Sequence, residues 1–422
     1  MTGTNAPGEA DLRFDIALLF ATRILRMFGY GFLAVVLVLY LDAIGLSGAE
    51  IGLLLSLTLL GDAAVSLWLT THADRVGRRR VLLLGAGLML VAGLVFVATP
   101  VFAVLLVAAT FGVISPSGNE IGPFLAVEQA SLSQLIPDRR RTSLFARYQL
   151  AGSLATAAGT LAGGTLSQAA INGGAAAADA YRAVIVGYAL IGMVLALLFS
   201  RVSRDIEVPT DQVADERIRD RLGLHRSRGV VLRLSALFAL DAFAGGFAIQ
   251  SFIAFWFSER FGVDPAVIGF VLAAANLLAG FSALAAGRLA ARFGLVRTMV
   301  FTHLPSNVLL MLVPLMPTLP LATAALLARY SISQMDVPTR QSYTIAIVAP
   351  DERAAAAGVT GIARSVGVAT APLLAGPMFT SAALLNLPFF VAGSLKIVYD
   401  LLLYRAFRRV RPPEESPETS AT

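Results

Sequence analysis

The 422-residue chain has no cysteine and only three histidines. The first absence excludes disulfides, thiolate metal sites and cysteine nucleophiles. The second leaves no histidine metal centre, because His72, His225 and His303 are scattered singly along the chain. Charge is scarce as well: Asp, Glu, Lys and Arg make up 14% of the residues, against about 25% in a soluble domain. No Gly-Lys-Ser/Thr nucleotide loop is present, so ATP drive is not expected. The opening residues carry Glu9 and Asp11 rather than a basic start, so no signal peptide is expected. These features argue against a soluble enzyme, a disordered chain and a nucleic-acid binder, and they call for no cofactor and no metal.

What the chain has is apolar length. Hydrophobic residues make up 57% of it, and mean hydropathy is +0.75. A membrane-crossing helix needs about 20 apolar residues. Apolar runs between charged or Pro/Gly breaks predict twelve spans, at 16–41, 49–71, 81–99, 101–135, 143–167, 182–200, 230–257, 265–287, 298–316, 321–348, 355–380 and 387–404. Pro116, Pro123 and Pro338 predict bends in the fourth and tenth. The fold class is an all-α membrane protein of twelve transmembrane helices in two pseudo-symmetric six-helix bundles. Residues 1–200 form the first bundle, 201–229 a cytoplasmic linker, 230–404 the second bundle and 405–422 a cytoplasmic tail.

Arginine sets the orientation. With the N-terminus inside, Arg13, Arg75, Arg78–Arg80, Arg139–Arg141, the arginines between 201 and 233, Arg288, Arg292, Arg297, Arg353 and Arg405–Arg411 fall on the cytoplasmic side. The outer loops receive only Arg182 and Arg260. This positive-inside bias predicts cytoplasmic termini in a plasma-membrane protein. It also accounts for a pI near 10.0 without a nucleic-acid partner.

The two halves echo each other. Arg75-x-Gly77-x-x-Arg80 recurs as Arg292-x-Gly294-x-x-Arg297, each between the second and third spans of its half. Pro137-Asp138 recurs as Pro350-Asp351. Gly159-Thr-Leu-Ala-Gly-Gly164 is echoed by Ala371-Pro-Leu-Leu-Ala-Gly376 in the fifth span of each half. Paired six-helix halves are the sequence mark of an alternating-access transporter.

Ala73-Asp74-Arg75-Val76-Gly77-Arg78-Arg79-Arg80, after a span containing Gly61-Asp62, resembles the loop signature of the major facilitator superfamily. Thr70 stands where that signature has Gly, and Ala291 replaces the Asp in the second copy. Gly159–Gly164 resembles the fifth-helix motif of the family's proton-coupled drug antiporters, with Thr160 in place of Pro. The antiporters' fourth-helix Arg motif has no counterpart in Thr110-Phe-Gly-Val-Ile-Ser-Pro116. The resemblance implies a non-enzymatic secondary transporter that exports a small molecule in exchange for protons, as a monomer in the lipid bilayer. A proton-coupled nutrient importer and a non-transporting receptor or scaffold stay open.

The resemblance further implies that spans 1, 4, 7 and 10 line a central cavity, that 2, 5, 8 and 11 form the moving interface, and that 3, 6, 9 and 12 face lipid. Buried charge is costly and therefore a functional candidate. Arg23, Arg26, Glu128, Asp241, Asp336 and Arg340 reach similar depths at about 1.5 Å per residue, and Tyr30 shares a face with Arg23 and Arg26. These seven are the expected substrate site. The zero net charge of the six suits a neutral, zwitterionic or amphiphilic substrate. Glu128, Asp241 and Glu120 are the candidate proton carriers. Phe247 and Trp256 are weaker candidates for substrate contact. The expected gating residues are Asp74, Arg75, Gly77, Arg79, Gly159 and Gly163, with Asp62 and Arg364 expected to pair across spans 2 and 11 in at least one conformation. Asp336 and Arg340, four apart, can also simply neutralise each other. Lys396 with Asp400 reads as a self-neutralising i,i+4 pair, and His303 with Asn307 as a packing pair beside a bend at Pro305.

Overall fold

A computed structural model of the chain describes residues 9–119, 122–135, 138–203, 206–207, 225–349, 352–408 and 410. Among these residues all regular structure is helical. The first half holds α1 (Glu9–Ala43), α2 (Gly48–Val76), α3 (Arg78–Ala98), α4 (Phe102–Phe111), α5 (Phe124–Leu135), α6 (Asp138–Asn172) and α7 (Ala177–Phe199). The second holds α8 (Arg228–Gly246), α9 (Gln250–Phe261), α10 (Pro265–Phe293), α11 (Leu295–Leu312), α12 (Leu319–Ser333), α13 (Asp336–Ala346), α14 (Arg353–Thr370), α15 (Pro372–Phe379) and α16 (Leu387–Phe407). Each of spans 4, 7, 10 and 11 is built from two helices, so these elements make twelve crossings. Nine described stretches are long and apolar enough to cross a membrane by length and composition alone. Spans 4 and 10 fall short because they are broken, and span 5 because α6 is rich in polar residues.

The breaks have local causes. Span 4 is not one bent helix, as expected, but two helices separated by a stretch that includes Pro116, Gly118 and Gly122, both glycines at positive φ. The break in span 10 falls before Pro338. That proline occupies the first turn of α13, where its missing N–H costs no hydrogen bond. Spans 7 and 11 break where no break was anticipated. In span 11, Pro372 opens α15 as its first residue, the helical position proline suits best.

Gly77 explains the repeated loop motif. It is the single residue between α2 and α3, with φ 103° and ψ 127°. Gly294 plays the same part between α10 and α11, with φ 86° and ψ 159°. Only glycine adopts such a conformation without strain.

The outward faces of α3, α7, α11 and α16 expose Val91, Leu94, Leu190, Leu197, Phe301 and Leu401. Apolar surface of this extent suits hydrocarbon rather than water. By contrast, every residue from Gly29 to Leu41 of α1 is buried, as is every residue from Ile249 to Phe257. These segments meet at the centre of the molecule, where Ser251 donates its hydroxyl to the carbonyls of Ala34 (2.8 Å) and Pro116 (2.6 Å).

Candidate functional site

The two halves touch through glycines. A Cβ on Gly164 of α6 would lie 2.2 Å from the Pro265 carbonyl, and one on Gly269 of α10 would lie 2.6 Å from the Thr160 carbonyl. The mirror contact joins α2 to α15. A Cβ on Gly52 would lie 2.4 Å from the Pro372 carbonyl, and one on Gly376 would lie 2.2 Å from the Gly48 carbonyl. Such approaches are possible only without side chains. Gly52 and Gly269 are as far apart in sequence as Gly77 and Gly294, so the two contacts are equivalents under the internal repeat. Both lie toward the ends of the spans opposite the chain termini.

Gly159 and Gly163, expected at the moving interface, instead sit against α1 of their own half. A Cβ on either would clash with the carbonyls of Phe28 and Phe32 respectively. The inter-half glycine is their neighbour Gly164.

The six charges placed at one depth by sequence fall into two clusters, one in each half. In the first, the Arg26 guanidinium donates to both oxygens of Glu128, at 2.7 Å each, with neither side chain exposed. The Tyr148 hydroxyl also donates to Glu128, and that of Thr22 does so at 3.3 Å. Arg23 turns toward α6, donating to the Tyr148 carbonyl (2.9 Å) and to Gln149 Oε1 (2.8 Å). Its guanidinium also lies over the Tyr148 ring, 4.4 Å from the centroid. The cluster ties α1, α5 and α6 together. Tyr30 is fully buried in the adjoining apolar core.

The second cluster centres on Asp241 of α8. Lys396 of α16, the only lysine in the chain, reaches its Oδ1 at 2.6 Å. Arg364 of α14 and Arg340 of α13 reach Oδ2 at 3.2 and 3.4 Å. Arg340 also holds Asp336 at 2.8 Å. Asp400 is bound by His303 Nδ1 at 2.9 Å and by the Asn307 amide at 2.9 Å. His303 Nε2 lies 3.9 Å from Asp241 Oδ1.

This arrangement corrects two expectations. Lys396 does not pair with Asp400 along its own helix, because its ammonium reaches across to Asp241 at 2.6 Å. His303 and Asn307 are not a mere packing pair, since both bind Asp400. The Asp62–Arg364 pair, expected in at least one conformation, is not formed in this one: Arg364 is engaged by Asp241, and Asp62 Oδ1 accepts from the Gly122 N–H (2.8 Å) and the Ser66 hydroxyl (3.4 Å). The Asp336–Arg340 pair forms as the four-residue spacing allows. Sequence reasoning missed Tyr148 and Gln149, and read His303, Asn307, Lys396 and Asp400 as local pairs outside the site. An unpaired aspartate in span 7 was the available signal that cations on other helices must reach it.

Among the gating candidates, Arg75 is exposed. Arg79 donates to the carbonyls of Phe199 (3.3 Å) and Ser200, at the end of α7. Glu207 accepts from the N–H groups of Arg78 (2.6 Å) and Arg79 (3.1 Å), satisfying the start of α3 and its dipole. Glu120 and the Asp74 side chain lie outside the described residues. Phe247 and Trp256 are core residues; Trp256 donates its indole N–H to Asn386 at 2.9 Å.

The sequence pattern of the Major Facilitator Superfamily matches residues 19–327 and 234–422. The chain is 31% identical to an uncharacterized membrane protein of Saccharomyces cerevisiae, YJR124C, over 92% of this chain and 93% of that one. Its fold is similar to a bacterial homolog of the human lysosomal transporter Spinster, inward-facing and occupied, with TM-score 0.74, 18% identity and coverage of 95% and 98% of the two chains. It is also similar to a D-xylose-proton symporter, with TM-score 0.70, 15% identity and coverage of 95% and 98%. The repeated glycine hinge, the twofold-related contacts between halves and these likenesses agree: the chain belongs to the major facilitator superfamily.

Proposed function

We propose that the chain is a secondary active transporter that exports a small molecule in exchange for protons, with both termini on the cytoplasmic side of the plasma membrane. The observation that carries this reading is the pairing of a glycine-lined, dry contact between halves at one end with a separate buried charge cluster inside each half. Two rigid units that meet through small residues can rock without dragging side chains past one another. With the termini cytoplasmic, the closed end is the outer one, so the conformation described is inward-facing.

Charge bears on the substrate class. Arg340, Arg364 and Lys396 match Asp241, Asp336 and Asp400 in number in the second half, and Arg23 and Arg26 exceed Glu128 by one in the first. So small an excess suits a neutral, zwitterionic or amphiphilic compound better than an organic phosphate. The carboxylates Glu128 and Asp241 are the proposed coupling groups, because protonating either would weaken its hold on the arginines beside it.

Import with protons is the second reading, favoured by the fold shared with a D-xylose-proton symporter. Proteoliposomes with an imposed pH gradient and a panel of labelled compounds decide between them. Export predicts accumulation of a compound against its gradient in exchange for protons, and import predicts co-directional movement. Transport indifferent to the gradient and to an uncoupler would end both proton-coupled readings.

A further inference from the structure

The second charge cluster extends beyond the spans that face the centre. His303 lies on α11 and Asp400 on α16, the ninth and twelfth spans, and both are buried. Their ring-nitrogen-to-carboxylate contact is 2.9 Å. The other Asp400 oxygen is held by the neutral Asn307 amide.

The cations are committed elsewhere. Lys396 binds the Asp241 carboxylate at 2.6 Å and its backbone carbonyl at 3.3 Å. Arg364 binds Asp241, and Arg340 is shared between Asp241 and Asp336. The Tyr399 ring stands edge-on to His303 with centroids 6.0 Å apart. From α10 and α12, also packed on α11, no ion-pair partner reaches His303 among the described residues. Asp400 therefore has one ionisable partner at hydrogen-bond distance, and that partner is an imidazole. With the Lys396 ammonium, one turn away, bonded to Asp241 instead, a buried carboxylate whose own hydrogen-bond partners are an imidazole and an amide is costly unless a proton is present on it or on its partner. The other ring nitrogen of His303 faces Asp241 at 3.9 Å, so the imidazole stands between two carboxylates.

We propose that His303 and Asp400 form a proton-binding site on the two peripheral spans, beside the cation cluster of Asp241. Its role in transport rests on the proton-coupled reading above. The proton site itself does not.

Selective ¹⁵N-histidine labelling tests it on the full chain in lipid nanodiscs, since only three histidines are present. The His303 signal is the one lost in His303→Gln. In the wild type the His303 Nδ1 carries a strongly deshielded proton shared with Asp400, across the 2.9 Å contact. In Asp400→Asn that proton signal is lost or moves upfield. The signal of His72 does not change. A wild-type His303 with no proton on Nδ1 overturns the proposal, as does an Nδ1 signal identical in Asp400→Asn. Should Asp400→Asn fail to fold, the wild-type spectrum decides alone. A shared proton in a protein that no pH gradient drives would leave the site intact and remove the proton-coupled reading.

Discussion

Arg26 of α1 grips Glu128 of α5 through both arms of its guanidinium, at 2.7 Å each, in a contact with no exposed side-chain surface. Removing one member of such a pair strands a charge in a dry interior, a loss of about 3–5 kcal/mol. Glu128→Gln and Arg26→Met should each melt well below the wild type in detergent. The double variant Arg26→Met/Glu128→Met should recover most of the loss. If the single variants melt with the wild type, the pair is not structural.

Asp241 has the opposite problem, one carboxylate serving three cations. Asp241→Asn leaves Lys396, Arg340 and Arg364 facing one another, and their repulsion should lower yield and melting temperature more than any other single change in this cluster. Adding Lys396→Met to Asp241→Asn should restore part of the loss, because Lys396 is the closest cation at 2.6 Å. A double variant worse than Asp241→Asn, measured by thermal unfolding, would contradict this arrangement.

The hinge glycines give a paired prediction. Gly77→Ala and Gly294→Ala each force a side chain into a region of positive φ, at about 1–3 kcal/mol apiece. Their melting temperatures should fall by similar amounts, since the two positions are equivalents in the repeat. A loss confined to one of them would contradict that equivalence.

Glu352 supplies a pH signature outside the spans. The Ser227 hydroxyl, the His225 N–H and the N–H groups of Arg226 and Ser227 hold its carboxyl down to about 2, against 4.5 for a free glutamate. Because the folded value is the lower one, its stabilisation is full above pH 4.5 and is lost as pH falls toward 2. Glu352→Gln should flatten the dependence of melting temperature on pH across that window. An unchanged acid limb in the variant would show that these hydrogen bonds add nothing.

Much of the architecture was legible from residues. Apolar run length located the twelve spans, and the spaced Gly77 and Gly294 marked the repeat, because backbone geometry there admits little else. Arg26, Glu128, Asp241 and Arg340 stood out because charge in an apolar run needs a reason. What was not legible was who pairs with whom. Lys396 and Asp400 satisfy a local spacing rule, and His303 and Asn307 another, so each looked complete on its own helix. Only the packing of α8, α11 and α16 shows that Asp241 takes the lysine and leaves Asp400 to the histidine. Gly159, Gly163 and Gly164 are alike in sequence, and helix rotation alone decides which of them faces the other half.

The two halves should rock about their glycine contacts. The chain has no cysteine, so spin labels can be placed without background. One pair, at Ala43 and Leu384, spans the halves at the closed end; another, at Arg75 and Arg353, spans them near the termini. All four positions are exposed. Pulsed electron–electron distance measurements in lipid should find two populations for each pair, linked so that the first lengthens as the second shortens, with the balance moved by pH and by transported compound. A single unchanging distance for both pairs under every condition would show that the halves do not rock.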